Sequence, residues 1–213
     1  MNYHPLTYHF SPAANPATAP TLLLLHGTGG HETDLLPLAH QLTSGYNILG
    51  LRGNVLENGS VTRFFRRRST GVFDEEDLRF RTHELVHFVR ELAPKERFDA
   101  GRIVALGYSN GANIAGSTLL LYPDWLVGAV LWRPMLPLQD EEPGPSNGAA
   151  VLCLSGAADP YYQPENMQRY ERRLTRSGFA VEHQILRASH PLTSQDLTLT
   201  EAWFRAQEAR FMA

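Results

Sequence analysis

The chain has 213 residues, 43% of them apolar, and a formal net charge of −3. This is enough apolar material for one sizeable core, so a single domain over residues 1–213 is expected. There is no basic excess to hold a polyanion, no basic-then-apolar export signal in Met1 to Phe10, and no apolar run long enough to span a bilayer.

From the N-terminus, Tyr3 to Phe10 reads as an edge strand, Ser11 to Pro20 as a Pro-rich surface connection, and Thr21 to His26 as a buried strand. Leu35, Leu38, Ala39 and Leu42 then share a helical face, followed by the strand Tyr46 to Leu51 and a long loop from Arg52 to Phe73. A second helical face carries Leu78, Leu85, Phe88, Val89 and Leu92 before the strand Arg102 to Tyr108. Ile114, Ala115 and Leu119 belong to the next helix, and Leu126 to Trp132 to the next strand. Arg133 to Gly148 is too short for a large helical lid. The strand Ala149 to Ser155, a helix through Met167, Tyr170 and Leu174, and the strand Val181 to Arg187 complete the pattern. Such alternation predicts an α/β class: a mostly parallel, twisted sheet with helices on both faces. The lone Cys153 lies inside an apolar strand, where burial suppresses its thiolate; a packing role and a reducing, cytoplasmic setting are expected.

The central motif is Gly107-Tyr108-Ser109-Asn110-Gly111, a G-x-S-x-G pattern between a strand and a helix. Three fixed positions match by accident in about one chain of this size in fifteen, so the context carries the weight. A strained strand-to-helix turn pushes the serine hydroxyl out of the sheet, and small residues on either side avoid the returning backbone. A plain helix-capping serine is the competing reading. Serine needs a base and a carboxylate, in the chain order Ser, Asp or Glu, His. Asp159 follows one strand in the turn Gly156-Ala157-Ala158-Asp159-Pro160, and His190 follows the next in Ala188-Ser189-His190-Pro191. Both stand at strand C-terminal ends, where open α/β sheets gather their sites. Backbone amides of Thr28, in the Gly-rich loop after Leu22 to His26, and of Asn110 are the candidate oxyanion hole. The same loop lacks the Lys and spacing of a phosphate-binding loop.

A rival motif, His83-Glu84-Leu85-Val86-His87, matches the zinc-binding H-E-x-x-H pattern. On a helix, its histidines fall nearly opposite the apolar face, beside Arg79 and Arg90, without an evident third ligand. No metal and no organic cofactor is expected.

Several segments together resemble the carboxylesterase, lysophospholipase and acyl-protein-thioesterase branch of the α/β hydrolases, especially bacterial members associated with hydroquinone resistance. They are Leu24-Leu25-His26-Gly27-Thr28-Gly29-Gly30 with Asp34-Leu35-Leu36-Pro37-Leu38, then Arg52-Gly53-Asn54-Val55, Phe73-Asp74-Glu75-Glu76-Asp77-Leu78, and Gly107-Tyr108-Ser109-Asn110-Gly111-Ala112-Asn113. The resemblance covers nearly the whole chain. It implies an α/β-hydrolase fold, Ser109 as nucleophile, His190 as base, Asp159 as its orienting acid, and the Thr28 and Asn110 amides as the hole. Ser189 departs from the glycine that usually precedes the family's histidine.

The expected activity is hydrolysis of a small-molecule ester or thioester through an acyl-enzyme; a non-catalytic ligand-binding protein on the same fold is the alternative. Arg52, Phe64, Phe65 and Arg133 are candidate substrate-binding groups, set against the simpler reading of Arg66 to Arg68 as a solvated basic turn. Neither nucleic acid nor an integral membrane association is expected, and a homodimer stays open.

Overall fold

The computed structural model describes residues 3–212. In chain order, β1 (Thr7–Ser11), β2 (Thr21–Leu25), α1 (Leu36–Leu42) and β3 (Asn47–Arg52) are followed by two small antiparallel pairs, β4 (Val55–Glu57) with β5 (Val61–Arg63) and β6 (Arg67–Ser69) with β7 (Val72–Phe73). Then come α2 (Glu75–Glu96), β8 (Ile103–Tyr108), α3 (Asn110–Leu121), β9 (Leu126–Trp132), β10 (Ala150–Gly156), α4 (Pro164–Arg176), β11 (Ala180–Leu186) and α5 (Ser194–Met212).

The main sheet has seven strands in the order β1-β3-β2-β8-β9-β10-β11, parallel except for β1, which pairs antiparallel with β3. Side chains of its central strands alternate between two apolar layers, as the two-residue period of a strand demands. Leu23, Leu25, Ala105, Leu131 and Cys153 join the cluster containing Leu85 and Val89 of α2, Ile114 of α3 and Tyr170 of α4. Leu22, Leu24, Val104, Trp132 and Leu154 join Ala39 of α1 and Phe204 of α5 on the other face. Both faces are covered, so the central strands are apolar throughout instead of alternating with polar residues.

Three elements differ from the sequence reading. The stretch from Arg52 to Phe73 is no open loop: two hairpins fold it against the site, and Asn58, Gly59 and Gly71 supply the positive φ angles that tight turns need. The C-terminal helix α5 was hidden because its buried Trp203, Phe204 and Phe211 are interrupted by charged residues without a continuous apolar stripe. The edge strand sits at Thr7–Ser11, shifted from Tyr3 to Phe10 toward the residues that match β3 in register. Residues 133–149 contain no helix, which leaves the carboxyl ends of the strands without a large lid. Among the described residues no helix is long and apolar enough to cross a membrane.

Candidate active site

At the end of β8 the chain turns directly into α3. Ser109 forms the turn with φ 52° and ψ −109°, a region that L-residues avoid. Its N–H donates to the Trp132 carbonyl at 2.8 Å, fastening the turn to β9. The flanking glycines are dictated by contact. A Cβ on Gly107 would lie 2.5 Å from the Gly111 carbonyl, and one on Gly111 would collide with the Leu25 carbonyl. Only glycine lets α3 descend this close to β2.

Two more strand ends supply the partners. The β10 end continues into a turn in which Asp159 N–H donates to Gly156 O at 3.1 Å, and the β11 end leads to His190. The two loops are laced together. Ala157 N–H donates to Leu186 O at 2.8 Å, and Ala158 N–H to Ala188 O at 3.0 Å. A Cβ on Gly156 would sit 2.6 Å from the Ala188 and Ser189 carbonyls, so this approach again requires glycine. Ser189 is not among the residues with positive φ, and its hydroxyl donates to Ala158 O at 3.3 Å, so the loop accommodates a side chain where the family usually has none.

These placements bring three separated residues into one line. His190 Nε2 stands 2.9 Å from Ser109 Oγ, and His190 Nδ1 stands 2.8 Å from Asp159 Oδ2. A carboxylate only accepts, so Nδ1 carries the proton and Nε2 is left to accept from the serine hydroxyl. Asp159 Oδ1 accepts from Tyr161 N–H at 2.9 Å, which spends the carboxylate's second oxygen and fixes its plane. The His190 ring is a quarter exposed and lies edge-on to Tyr161 at 5.1 Å.

Arg133, a candidate substrate-binding group from sequence, is instead a buried clasp. Its side chain and that of Asp196 are both 0% exposed and pair through two hydrogen bonds of 2.6 and 2.8 Å. The remaining N–H groups reach backbone carbonyls: Nε donates to Ser189 O at 2.9 Å and Nη2 to Pro191 O at 3.2 Å, bracketing His190. Phe64 and Phe65 are also core residues, at 2% and 0% exposure. Arg52 pairs with Glu32 at 2.5 Å and lies outside the cavity wall. None of the four lines the cavity around Ser109. That cavity, about 380 Å³, is walled by Thr28, Arg63, Arg67, Phe73, Asn113, Met135 and Tyr161 together with the residues of the serine turn and His190. Sequence reading places Arg67 in a solvated basic turn and passes over Arg63, which immediately precedes Phe64; the alternation of β5, which turns Arg63 inward, is the signal that marks it.

In the loop after β2, Gly29 N–H donates to Thr62 O at 2.8 Å and Gly30 N–H to Gly27 O at 3.1 Å. Among the described residues no acceptor takes the Thr28 N–H. Asn110 opens α3, so its own N–H has no intrahelical partner. Its side-chain Oδ1 accepts from Phe64 N–H at 2.7 Å, tying the hairpin segment to the serine turn. Behind the loop, His26 is buried; Nδ1 contacts Gly27 O at 2.6 Å and Nε2 accepts from Gly53 N–H at 3.0 Å. Burial pushes its pKa down, which keeps the ring neutral and able to accept that bond.

Glu84 and His83 of the H-E-x-x-H motif are occupied elsewhere, and the His87 ring packs on Tyr3. Glu84 takes hydrogen bonds from His4 N–H, Asn54 and Arg81, and His83 Nδ1 lies 2.6 Å from the Tyr122 hydroxyl. Among the described residues no group of three or more His, Cys, Asp or Glu is placed to hold a metal ion. Cys153 is buried in β10, and burial pushes its thiol up to about 12.

A mostly parallel sheet of this order, with a serine on a sharp strand-to-helix turn and no large lid, defines an α/β hydrolase. No family model matches the chain. It is 44% identical over 184 residues to the putative hydrolase MhqD of Bacillus subtilis (strain 168), an alignment covering 86% of this chain and 92% of that protein. The carboxylesterase of Bacillus cereus superimposes with a TM-score of 0.89 at 42% identity, covering 94% of both chains. A carboxylesterase from Mesorhizobium loti gives 0.83 at 29% identity, also over 94% of both. The chain therefore belongs to the esterase family of α/β hydrolases and is an esterase-type enzyme.

Proposed function

We propose that the protein hydrolyses small-molecule carboxylic esters or thioesters through an acyl-enzyme on Ser109. The observation that carries this reading is the unbroken line from Ser109 Oγ to His190 Nε2 at 2.9 Å and from His190 Nδ1 to Asp159 Oδ2 at 2.8 Å, built on a strained turn that has no other evident use. As Oγ attacks the acyl carbon, Nε2 takes the hydroxyl proton, and Asp159 stabilises the resulting imidazolium. The Thr28 and Asn110 amides hold the developing oxyanion, where one lost donor typically costs about 100- to 1000-fold in rate. The imidazolium then returns its proton to the leaving oxygen or sulfur as the acyl bond breaks. A water molecule, deprotonated by the same Nε2, attacks the acyl-enzyme, releases the acid and restores Ser109.

Every proton in this cycle passes through one imidazole, so neither metal nor organic cofactor is required. Ser109→Ala tests the reading: turnover of 4-nitrophenyl acetate is expected to fall by about 10⁴-fold or more with folding intact. Retention of wild-type turnover in a pure preparation would refute it.

A further inference from the structure

Two guanidinium groups, Arg63 and Arg67, share the cavity wall with Ser109 and His190. A single carboxylate, Glu57, answers both. Arg67 donates to its Oε1 through Nη2 at 2.8 Å and Nε at 3.0 Å, and Arg63 Nη1 stands 3.4 Å from Oε2. That second oxygen is buried and has no hydrogen-bond partner among the described residues. Two cations against one anion leave one positive charge in excess. The nearby acids are committed elsewhere: Asp74 and Asp77 pair with Arg66, and Asp159 serves His190.

Of the two cations Arg63 is poorly hydrated, while the Arg67 side chain is 29% exposed. The Arg63 side chain is only 5% exposed, and burial together with the Arg67 charge pushes its pKa down. Arg63 Nε donates to Phe65 O and Nη1 to Thr28 Oγ1. Arg63 Nη2 and Arg67 Nη1 have no hydrogen-bond partner among the described residues. An anionic group entering the cavity against these two side chains would relieve the charge repulsion and accept from donors that otherwise face solvent.

We propose that Arg63 and Arg67 form a subsite for a carboxylate on the acyl part of the substrate, so that the preferred substrates are half-esters or half-thioesters of short dicarboxylic acids. The assignment rests on the proposed Ser109 mechanism. It places the anion on the acyl side for two reasons. Arg63 is fastened to Thr28, whose amide is the proposed oxyanion donor, while the leaving oxygen has to lie beside His190 and its flanking Tyr108 and Tyr161 rings to receive the proton. An adjoining cavity of about 190 Å³, reached past Phe73, Met135 and Tyr161, carries Glu75 on its wall and would repel an anion, which suits it to a neutral leaving group. Hydrolysis adds one water across the acyl bond and releases the dicarboxylic acid with the alcohol or thiol; no oxidant or reductant takes part.

The test compares monomethyl glutarate with methyl pentanoate, an uncharged ester of the same acyl length, by pH-stat with the full chain. The half-ester is expected to have a kcat/KM about tenfold higher or more, carried mainly by KM and diminishing with added salt. Arg67→Gln is expected to bring the ratio of the two substrates toward one, and Arg67→Lys to restore part of it. If a variant melts early, competitive inhibition of the wild-type enzyme by glutarate against pentanoate reads the same preference. Equal or weaker turnover of the half-ester, or an unchanged ratio in folded Arg67→Gln, would overturn the subsite while leaving the mechanism standing. Activity surviving Ser109→Ala would overturn the mechanism instead.

Discussion

Replacing Arg133 with Met separates two jobs that one side chain performs. The buried guanidinium neutralises Asp196 and holds the carbonyls on either side of His190. Removing one partner of a buried ion pair leaves the other charge unanswered and costs about 3–5 kcal/mol. At roughly 2–4 °C per kcal/mol for a chain of this size, Tm should fall by about 6–20 °C. The same change frees the Ser189 and Pro191 carbonyls, and a misplacement of about 1 Å at a catalytic group costs on the order of 100-fold. Adding Asp196→Asn removes the orphaned charge while keeping an oxygen for the Thr193 N–H and hydroxyl that Asp196 now accepts. The double variant is therefore expected to recover most of the lost Tm, because no buried carboxylate remains unpaired, yet to keep kcat depressed by about 10- to 100-fold, because nothing replaces the bonds that bracket His190. Thermal melts and steady-state hydrolysis of 4-nitrophenyl acetate read the two effects separately. A double variant with wild-type kcat would refute the positioning role of Arg133.

Gly111→Ala places a methyl group onto the Leu25 carbonyl, so a circular-dichroism melt should show destabilisation well beyond the about 0.5–1 kcal/mol that helix propensity alone would add in favour of alanine. Cys153 is raised to about 12 from 9.0 and Tyr46 to about 12 from 10.0, so the native state holds these protons where the unfolded chain would lose them. Stability from both groups is therefore complete below about pH 9 and declines as pH rises toward 12, which denaturant titrations across that window would show; native Cys153 should also resist thiol reagents that modify it after unfolding. His26 behaves in the opposite sense. Its folded pKa lies below 6.5, so the stability it contributes is complete above that pH and is lost as pH falls below it, a loss that His26→Gln should reduce.

Most of the strand framework was legible because the central strands are apolar on both faces and end at turns, as β8 does before Ser109. The sharp turn at Ser109 was legible for a steric reason: Gly107 and Gly111 stand where a Cβ would meet backbone. The order of Asp159 and His190 then followed from strand ends. What escaped was settled by tertiary charge pairing. Arg133 looks like a free cation after Trp132 until Asp196, on a helix that periodicity hid, is seen to bury it. Phe64 and Phe65 look like a loop's aromatic pair until β4 to β7 fold that loop and leave Arg63 facing the cavity in their place. The Arg133–Asp196 pair has no period or spacing, its members lying 63 residues apart, and the alternation that turns Arg63 inward shows only once the short hairpin is recognised.

Labelling with a fluorophosphonate followed by peptide mapping reports whether His190 activates Ser109. One adduct per chain is expected, on Ser109, with loss of ester hydrolysis in step with labelling and a labelling rate reduced by orders of magnitude in His190→Ala. Full hydrolytic activity with Ser109 unlabelled, or labelling of Ser109 at the wild-type rate without His190, would contradict it.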